Sequence, residues 1–330
     1  MKNILNQLFD HQKLTHDQAR EVIINIAQEQ YNDSEIAAFI SVYLMRNISL
    51  EELSGFRSAL MELCIPVDLS HLDTIDLCGT GGDGKNTFNI STLASFVVAG
   101  AGYHVAKHGN YGVSSISGSS NVLENLGIKF TNDTDSITRQ IETTNICFLH
   151  APLFHPALKT VGPIRKALGV KTFFNMLGPL VNPAKPTYQS VGVFSLKLAR
   201  LYQFLLQTES AEFCILYGLD GYDEISLTSE TKMITKTKEE IIDHKYFGFD
   251  QWSLADLHGG ATIPDAAEIF VKILNNSGSK AQNQVVIANA ATAIQCFDSQ
   301  KSISDCVAEA EESLRSGRAL AALHKLIELC

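Results

Sequence analysis

A short β-prone run, Thr74–Cys78, feeds directly into Gly79-Thr-Gly-Gly-Asp-Gly-Lys-Asn-Thr87, and four glycines within six residues at such a place leave few folds open. Glycines after a strand permit positive φ and expose successive backbone N–H groups. A helix opening at Asn89-Ile-Ser-Thr92 would point the positive end of its dipole the same way. A phosphate-bearing ligand is the expected occupant, with an ordinary tight turn as the alternative. Two familiar phosphate patterns are only partly met. Gly79, Gly81 and Gly84 have dinucleotide spacing, but no acidic residue follows about 20 positions on to hold a ribose hydroxyl. Gly79, Gly84 and Lys85 fit a mononucleotide loop, but Asn86 stands where Ser or Thr must hold magnesium.

The rest of the chain sets the context. Its 330 residues, 45% hydrophobic and 19% charged, suffice for two units or one elaborated α/β domain. A net charge of −10 disfavours nucleic acid and anionic membranes as partners. Seven scattered cysteines without a CxxC pair read as free thiols of a reducing compartment. Met1–Asp10 has neither the basic nor the apolar segment of a secretion signal, so a cytoplasmic protein is expected. The charge-free stretch Asn86–Ala106 is interrupted by Asn89, Ser91, Thr92, Ser95 and His104, and no membrane segment is expected.

Before the glycine cluster, Thr15 with Gln18, Asn32 with Glu35 and Ser49 with Glu52 have capping-box spacing. Apolar residues behind them recur every three or four positions, as in Val22-Ile23-Ile26 and Ile36-Phe39-Ile40-Tyr43, predicting a small helical unit ending near Pro66. Strand-like runs then alternate with helical patterns: Thr74–Cys78, Tyr103–Ala106, Ile146–Leu149, Tyr188–Phe194 and Glu212–Tyr217. The expected fold class is α/β, a large domain with a mainly parallel central sheet flanked by helices, plus a small all-helical domain. Prolines from Pro179 to Pro186 mark a chain excursion, and helices are expected at Asp265–Asn275, Gln284–Phe297 and Ser304–Leu329.

Three further constellations could carry chemistry. Between Asn86 and Leu123 the only charged side chain is Lys107, at the head of Lys107-His-Gly-Asn-Tyr-Gly-Val-Ser-Ser-Ile-Ser-Gly-Ser119. One cation among many neutral donors suits a pyrophosphate lining, and a flexible Ser/Gly loop is the alternative. Asp223-Glu224 follows the strand ending at Tyr217, and adjacent carboxylates on a glycine turn suit Mg²⁺, although many acidic turns are merely solvated. Arg165 could grip a carboxylate with two parallel bonds or lie idle on a surface. No GxSxG, HExxH or Cys/His cluster supports a hydrolase or zinc reading.

Taken in order, Gly79-Thr-Gly-Gly-Asp83, Asn89-Ile-Ser-Thr92, Lys107-His-Gly-Asn110, Gly118-Ser119, His155-Pro-Ala, Phe174-Asn175, Leu177-Gly-Pro-Leu-Val-Asn-Pro183 and Asp223-Glu224 resemble the anthranilate phosphoribosyltransferases, which share a fold with pyrimidine nucleoside phosphorylases. The resemblance spans nearly the whole chain. It implies transfer of the phosphoribosyl group of phosphoribosyl pyrophosphate (PRPP) to the amine of anthranilate, a step of tryptophan biosynthesis. PRPP contacts would fall on Gly79, Gly82, Asp83, Thr87, Asn89, Ile90, Ser91, Thr92, Lys107, His108, Gly109, Asn110, Tyr111, Gly112, Val113, Ser114, Ser115 and Ser119. The Mg²⁺ cofactor would fall on Ser91, Asp223 and Glu224, and anthranilate on Gly79, Asn110 and Arg165, with Lys107, His108, Asn110 and Arg165 as catalytic residues.

The resemblance further implies a helical domain at 1–70 completed by about 160–186, an α/β domain at 71–159 and 187–330, a cleft between them and a homodimer through the helical part. Two departures stand out. The family often has Arg where this chain has Tyr111-Gly112, and its usual Gly-Ser-Ala-Asp is here Gly118-Ser-Ser-Asn121. The alternatives are a pyrimidine nucleoside phosphorylase, against which the short chain and acidic pair speak, and a non-catalytic nucleic-acid-binding relative, against which the net charge speaks.

Overall fold

The computed structural model describes residues 1–112 and 116–330, so Val113, Ser114 and Ser115, expected among the PRPP contacts, lie outside the described residues. The chain forms two compact units, Met1–Val67 with Ala151–Pro183, and Asp68–His150 with Ala184–Cys330. Among the described residues no helix is long and apolar enough to cross a membrane. All seven cysteines are free thiols.

The helical unit contains helices Lys2–Phe9, His16–Ala27, Asp33–Met45, Leu50–Leu63 and Pro156–Leu168. The three expected capping boxes are all formed. Phe39, Tyr43, Phe56 and Phe173 meet mostly edge to face, with Phe56 and Phe173 stacked at 4.6 Å. Beside these rings lies one buried acid. Glu52, 0% exposed, accepts from Leu14 N–H at 3.0 Å, Ser49 N–H at 2.9 Å, Tyr43 O–H at 3.2 Å and both terminal nitrogens of Arg46. A buried carboxylate is tolerable only when its lone pairs are filled in this way. Burial alone would raise the Glu52 pKa, but the Arg46 guanidinium and the Leu14 and Ser49 amides together hold it below the usual range.

The second unit is built on a seven-stranded sheet in the order β3-β2-β1-β4-β5-β6-β7. The strands are β1 (Thr74–Gly79), β2 (His104–Gly109), β3 (Ile146–His150), β4 (Tyr188–Gly192), β5 (Glu212–Gly218), β6 (Thr231–Thr235) and β7 (Glu239–Ile242). The first five are parallel and match the strand-like runs read from sequence. The last two add an antiparallel hairpin that the apolar runs do not signal, because β7 is an edge strand carrying Glu239 and Glu240. Charges on an edge discourage pairing with a further strand.

Helix Ile90–Gly100 is buried along almost its whole length, as expected of a helix apolar on every side. It packs against helix Lys280–Phe297, and both contact the sheet. The segment Ser304–Leu329, expected as one helix, is two: Ile303–Arg315 and Arg318–Glu328. Gly317 breaks them apart at φ +77°, a conformation that ends helices and that glycine adopts without strain.

Glu52→Gln should cost about 3 kcal/mol at neutral pH, since it leaves the half-buried Arg46 beside a neutral partner. The folded pKa of Glu52 lies below its unfolded value, so its contribution is full above about pH 4.5 and is lost as the pH falls through the lower folded value. The protection of the Leu14 amide against hydrogen exchange, relative to its intrinsic rate at each pH, should therefore fall in acid in the wild type and be low throughout in the variant.

Candidate active site

The sheet itself chooses the location. From β1 the chain builds outward through β2 and β3, then returns to place β4 on the other side of β1. Ligands of open α/β sheets collect at the carboxyl ends of the strands flanking such a reversal. Here those ends are Gly79 and Gly192, direct register partners.

Asp223 lies across both glycines. A Cβ on Gly79 would stand 2.5 Å from Asp223 Oδ2, and one on Gly192 would stand 1.4 Å from the Asp223 carbonyl oxygen. No side chain fits either place while the acid keeps its position. The turn after β1 places Gly81, Gly82 and Gly84 at φ +63°, +78° and +75°, which lets its amides turn toward the strand ends. Gly81 N–H donates to Asp223 Oδ2 at 2.6 Å, and Ser91 N–H, in the first turn of helix Ile90–Gly100, donates to Glu224 Oε1 at 2.8 Å. Asp83 closes the turn by accepting from Lys85 N–H at 3.0 Å.

The electrostatics call for a cation. Burial, then the neighbouring Asp83 carboxylate, raises Asp223 to about 7, and burial together with Asp223 raises Glu224 to about 8. Among the described residues no group of three or more His, Cys, Asp or Glu could hold a metal ion alone. Two adjacent hard-oxygen carboxylates, short of positive charge, fit Mg²⁺, which takes its other ligands from water and substrate phosphate.

The expected PRPP residues occupy distinct positions around this acid pair. Thr87 forms a bridge with His258, and Asn89 precedes the helix and donates to the Ser117 carbonyl at 3.0 Å. Ile90 and Thr92 are buried, and Ile90 N–H is taken by the Phe88 carbonyl at 2.7 Å. Lys107 is 2% exposed, with its ammonium donating to the Leu77 carbonyl, so it lies beneath the strand ends rather than open on a loop. Burial lowers its pKa, while Asp76, Cys78 and Glu224 favour its charge. His108 is buried next to it, its N–H donating to Asp76 Oδ1 at 3.2 Å.

After β2, Gly109 leaves no room for a Cβ, which would meet Ser119 Oγ at 2.4 Å. The Asn110 carbonyl accepts from Ser120 N–H at 3.1 Å and Ser119 O–H at 3.3 Å. Tyr111 is partly exposed and reaches Glu124 with its hydroxyl at 3.3 Å. Asn121 Oδ1 accepts from both Gly112 N–H, at 2.9 Å, and Gly118 N–H, at 3.0 Å, joining the two ends of that loop. Arg165 belongs to the helical unit. There it is half-buried, donates to Asn175 Oδ1 at 3.1 Å and stacks its guanidinium over Phe174 at 5.5 Å. Burial lowers its pKa.

Sequence reasoning overlooked two parts. Gly192 ends β4 as Gly79 ends β1, a repetition visible only once the two strands are known to be neighbours. The segment Leu257–Gly260 braces the glycine turn, with Gly259 N–H donating to the Asn86 carbonyl at 2.9 Å and Asn86 Nδ2 to the Gly260 carbonyl at 3.0 Å. Its only signal is the pair Gly259-Gly260, and a Cβ on Gly259 would stand 2.3 Å from the Thr87 carbonyl oxygen.

Gly192→Ala should destabilise the fold by about 1–3 kcal/mol and displace the Asp223 carboxylate, both readable by calorimetry and crystallography. Gly162→Ala, with nothing within 4 Å of its Cβ inside helix Pro156–Leu168, should instead stabilise by about 0.5–1 kcal/mol.

Comparison with known proteins agrees with this architecture. Residues 71–320 match the glycosyl transferase family, a/b domain, and residues 2–64 its helical bundle domain. The anthranilate phosphoribosyltransferases of Flavobacterium johnsoniae and Bacteroides thetaiotaomicron are 59% and 58% identical over 329 residues, covering 100% of this chain and 99% of each relative. Among solved structures, anthranilate phosphoribosyltransferase from Thermus thermophilus superposes with a TM-score of 0.91 at 29% identity, covering 98% of both chains. The Saccharomyces cerevisiae enzyme in complex with PRPP and Mg also gives 0.91, at 26% identity, covering 98% of this chain and 96% of that one. Identity at this level along the whole length, on a sheet whose strand ends carry the glycine turn and the acid pair, makes the chain a member of the anthranilate phosphoribosyltransferase family of glycosyltransferases.

Proposed function

We propose that the acid pair, the glycine turn and the opening of helix Ile90–Gly100 form the PRPP site of this phosphoribosyltransferase, with anthranilate as acceptor. The observation that carries the reading is the convergence of Gly81 N–H and Ser91 N–H on two adjacent carboxylates, Asp223 buried and Glu224 half-buried, at the sheet's reversal point. Such a place sets hard ligands for a divalent ion beside the first turn of a helix, whose dipole favours phosphate oxygens. The PRPP contacts are those around it, including Gly79, Gly82, Asp83, Thr87, the segments 89–92 and 107–112, and Ser119.

Asp223, Glu224 and Ser91 would hold Mg²⁺, which when bound supplies positive charge to the departing diphosphate. The reaction exchanges the C1–O bond to diphosphate for a C1–N bond, through an oxocarbenium-like state in which negative charge grows on the leaving group. The first turn of helix Ile90–Gly100 is fixed before the reaction begins, so its dipole stabilises that charge without reorganising. Lys107 acts from beneath, where its charge faces Asp76 and Glu224. His108 and Asn110, at the end of β2 and just beyond it, border the reacting atoms. Arg165 grips the anthranilate carboxylate and so orients the amine. An aromatic amine is unprotonated at neutral pH and needs no base to attack. A homodimer is supported by exposed Phe9, Leu44 and Met45 on two helices in contact with each other.

The direct test is loss of anthranilate fluorescence on mixing with PRPP, Mg²⁺ and the purified protein; a flat trace would refute the assignment. Asp223→Asn combined with Glu224→Gln should lower Mg²⁺-dependent turnover by at least about 10²–10³-fold, and unchanged kinetics would remove the metal role. Arg165→Ala should raise KM for anthranilate by about tenfold or more while leaving that for PRPP nearly unchanged. An equal rise in both would contradict the assignment.

A further inference from the structure

The turn that carries the acid pair is held by one side chain to which nothing above gives a role. Asn289 lies in the middle of helix Lys280–Phe297 and is 6% exposed. Its Oδ1 accepts from Ile225 N–H at 3.1 Å, and its Nδ2 donates to the Ile225 carbonyl and to the Val285 carbonyl, each at 2.8 Å. A carboxamide offers donor and acceptor side by side on one plane, matching the two polar groups of a single backbone residue. That residue directly follows Glu224.

The opposite end of the same segment is fixed as well. The Asp223 carbonyl fills the notch left by the missing Cβ of Gly192. Asp223 and Glu224 are thus pinned on one side by β4 and on the other by helix Lys280–Phe297. Asn289, Asp223 and Ser91 also line one small pocket, so amide, acid and helix start face a common space. The helix gains little from this residue for its own sake. Asparagine is a poorer helix former than alanine, and Ala288, Ala290 and Ala291 occupy the adjoining positions.

We propose that Asn289 is a positioning residue for divalent-cation binding: by locking the Ile225 peptide it fixes the spacing of the Asp223 and Glu224 carboxylates. It touches neither substrate nor metal. The inference rests on the reading of that pair as Mg²⁺ ligands and extends it to the group that orients them, in the way outer partners of metal ligands are known to act.

The experiment compares the full-length wild type with Asn289→Ala, Asn289→Ser and Thr292→Val. Serine can bond back to the helix but cannot span both polar groups of Ile225. Thr292, buried on the same helix with its hydroxyl on the Ala288 carbonyl at 2.9 Å, controls for a general loss of packing. Mg²⁺ binding is measured by calorimetry with PRPP present, turnover is measured against Mg²⁺ concentration, and exchange of the Ile225 amide is followed in metal-free protein. Both Asn289 variants should bind Mg²⁺ about 10–100-fold more weakly, recover turnover as Mg²⁺ is raised and exchange the Ile225 amide faster, while Thr292→Val keeps the wild-type values. If Asn289→Ala does not fold, Asn289→Ser carries the same expectation.

The inference fails if the folded Asn289 variants stay within about threefold of the wild-type Mg²⁺ affinity, or if Thr292→Val weakens it equally. Wild-type turnover without any Mg²⁺ requirement would instead overturn the metal reading of Asp223 and Glu224, and the role of Asn289 with it.

Discussion

Two backbone amides facing two adjacent carboxylates, one buried and one half-buried, organise the second unit of this protein. Gly81 N–H and Ser91 N–H are donors that a strand end and a helix start leave over, and Asp223 and Glu224 accept them. Each partner justifies the other, because buried acids need donors and orphan amides need acceptors. Much else follows from keeping the four groups together. Gly79 and Gly192 have to lack side chains, and the turn has to use positive φ at three glycines. Helix Ile90–Gly100 has to be buried firmly enough that its first turn does not wander, and its apolar surface on every side ensures this.

What could be read from the sequence divides along physical lines. Features that depend on neighbours in the chain were legible: the capping boxes at Thr15, Asn32 and Ser49, the five parallel strands and the glycine turn that follows the first of them. Features that depend on neighbours in space were not. Gly192 looks like any strand-ending glycine until β4 is placed beside β1, and Asn289 looks like an ordinary helical asparagine until Ile225 is brought to it. The hairpin of β6 and β7 escaped because an exposed edge strand suppresses the apolar pattern that announces a strand. The break at Gly317 lay within a continuous apolar periodicity, and only the left-handed backbone there separates the two helices.

The helical unit solves a comparable problem with different means. Its buried acid, Glu52, is neutralised completely within the protein, by Arg46 and by amide and hydroxyl donors. Its pKa accordingly falls. Asp223 and Glu224 have donors too, yet their values rise, because burial penalises their charge first, and Asp83 beside Asp223 and Asp223 beside Glu224 add negative charge that nearby donors do not cancel. A satisfied buried acid stabilises a fold, whereas an unsatisfied pair stores an attraction for a cation.

The same contrast explains how a chain of net charge −10 can be built for polyanions. What the second unit's strand ends offer an anion is oriented amides and one buried ammonium, not a basic surface. Lys107 shows why burial matters. An exposed lysine would be screened by water and salt, but beneath β1 its charge acts on Glu224 and Asp76 through a medium of low dielectric. The cost is desolvation, which pulls the Lys107 pKa down and is tolerated only because carboxylates surround it. Selectivity follows from this arrangement. In the site proposed above, the helix start and the turn reward an anion that fits them and the acid pair takes a divalent ion with it, so neither simple anions nor free cations find the whole site complementary.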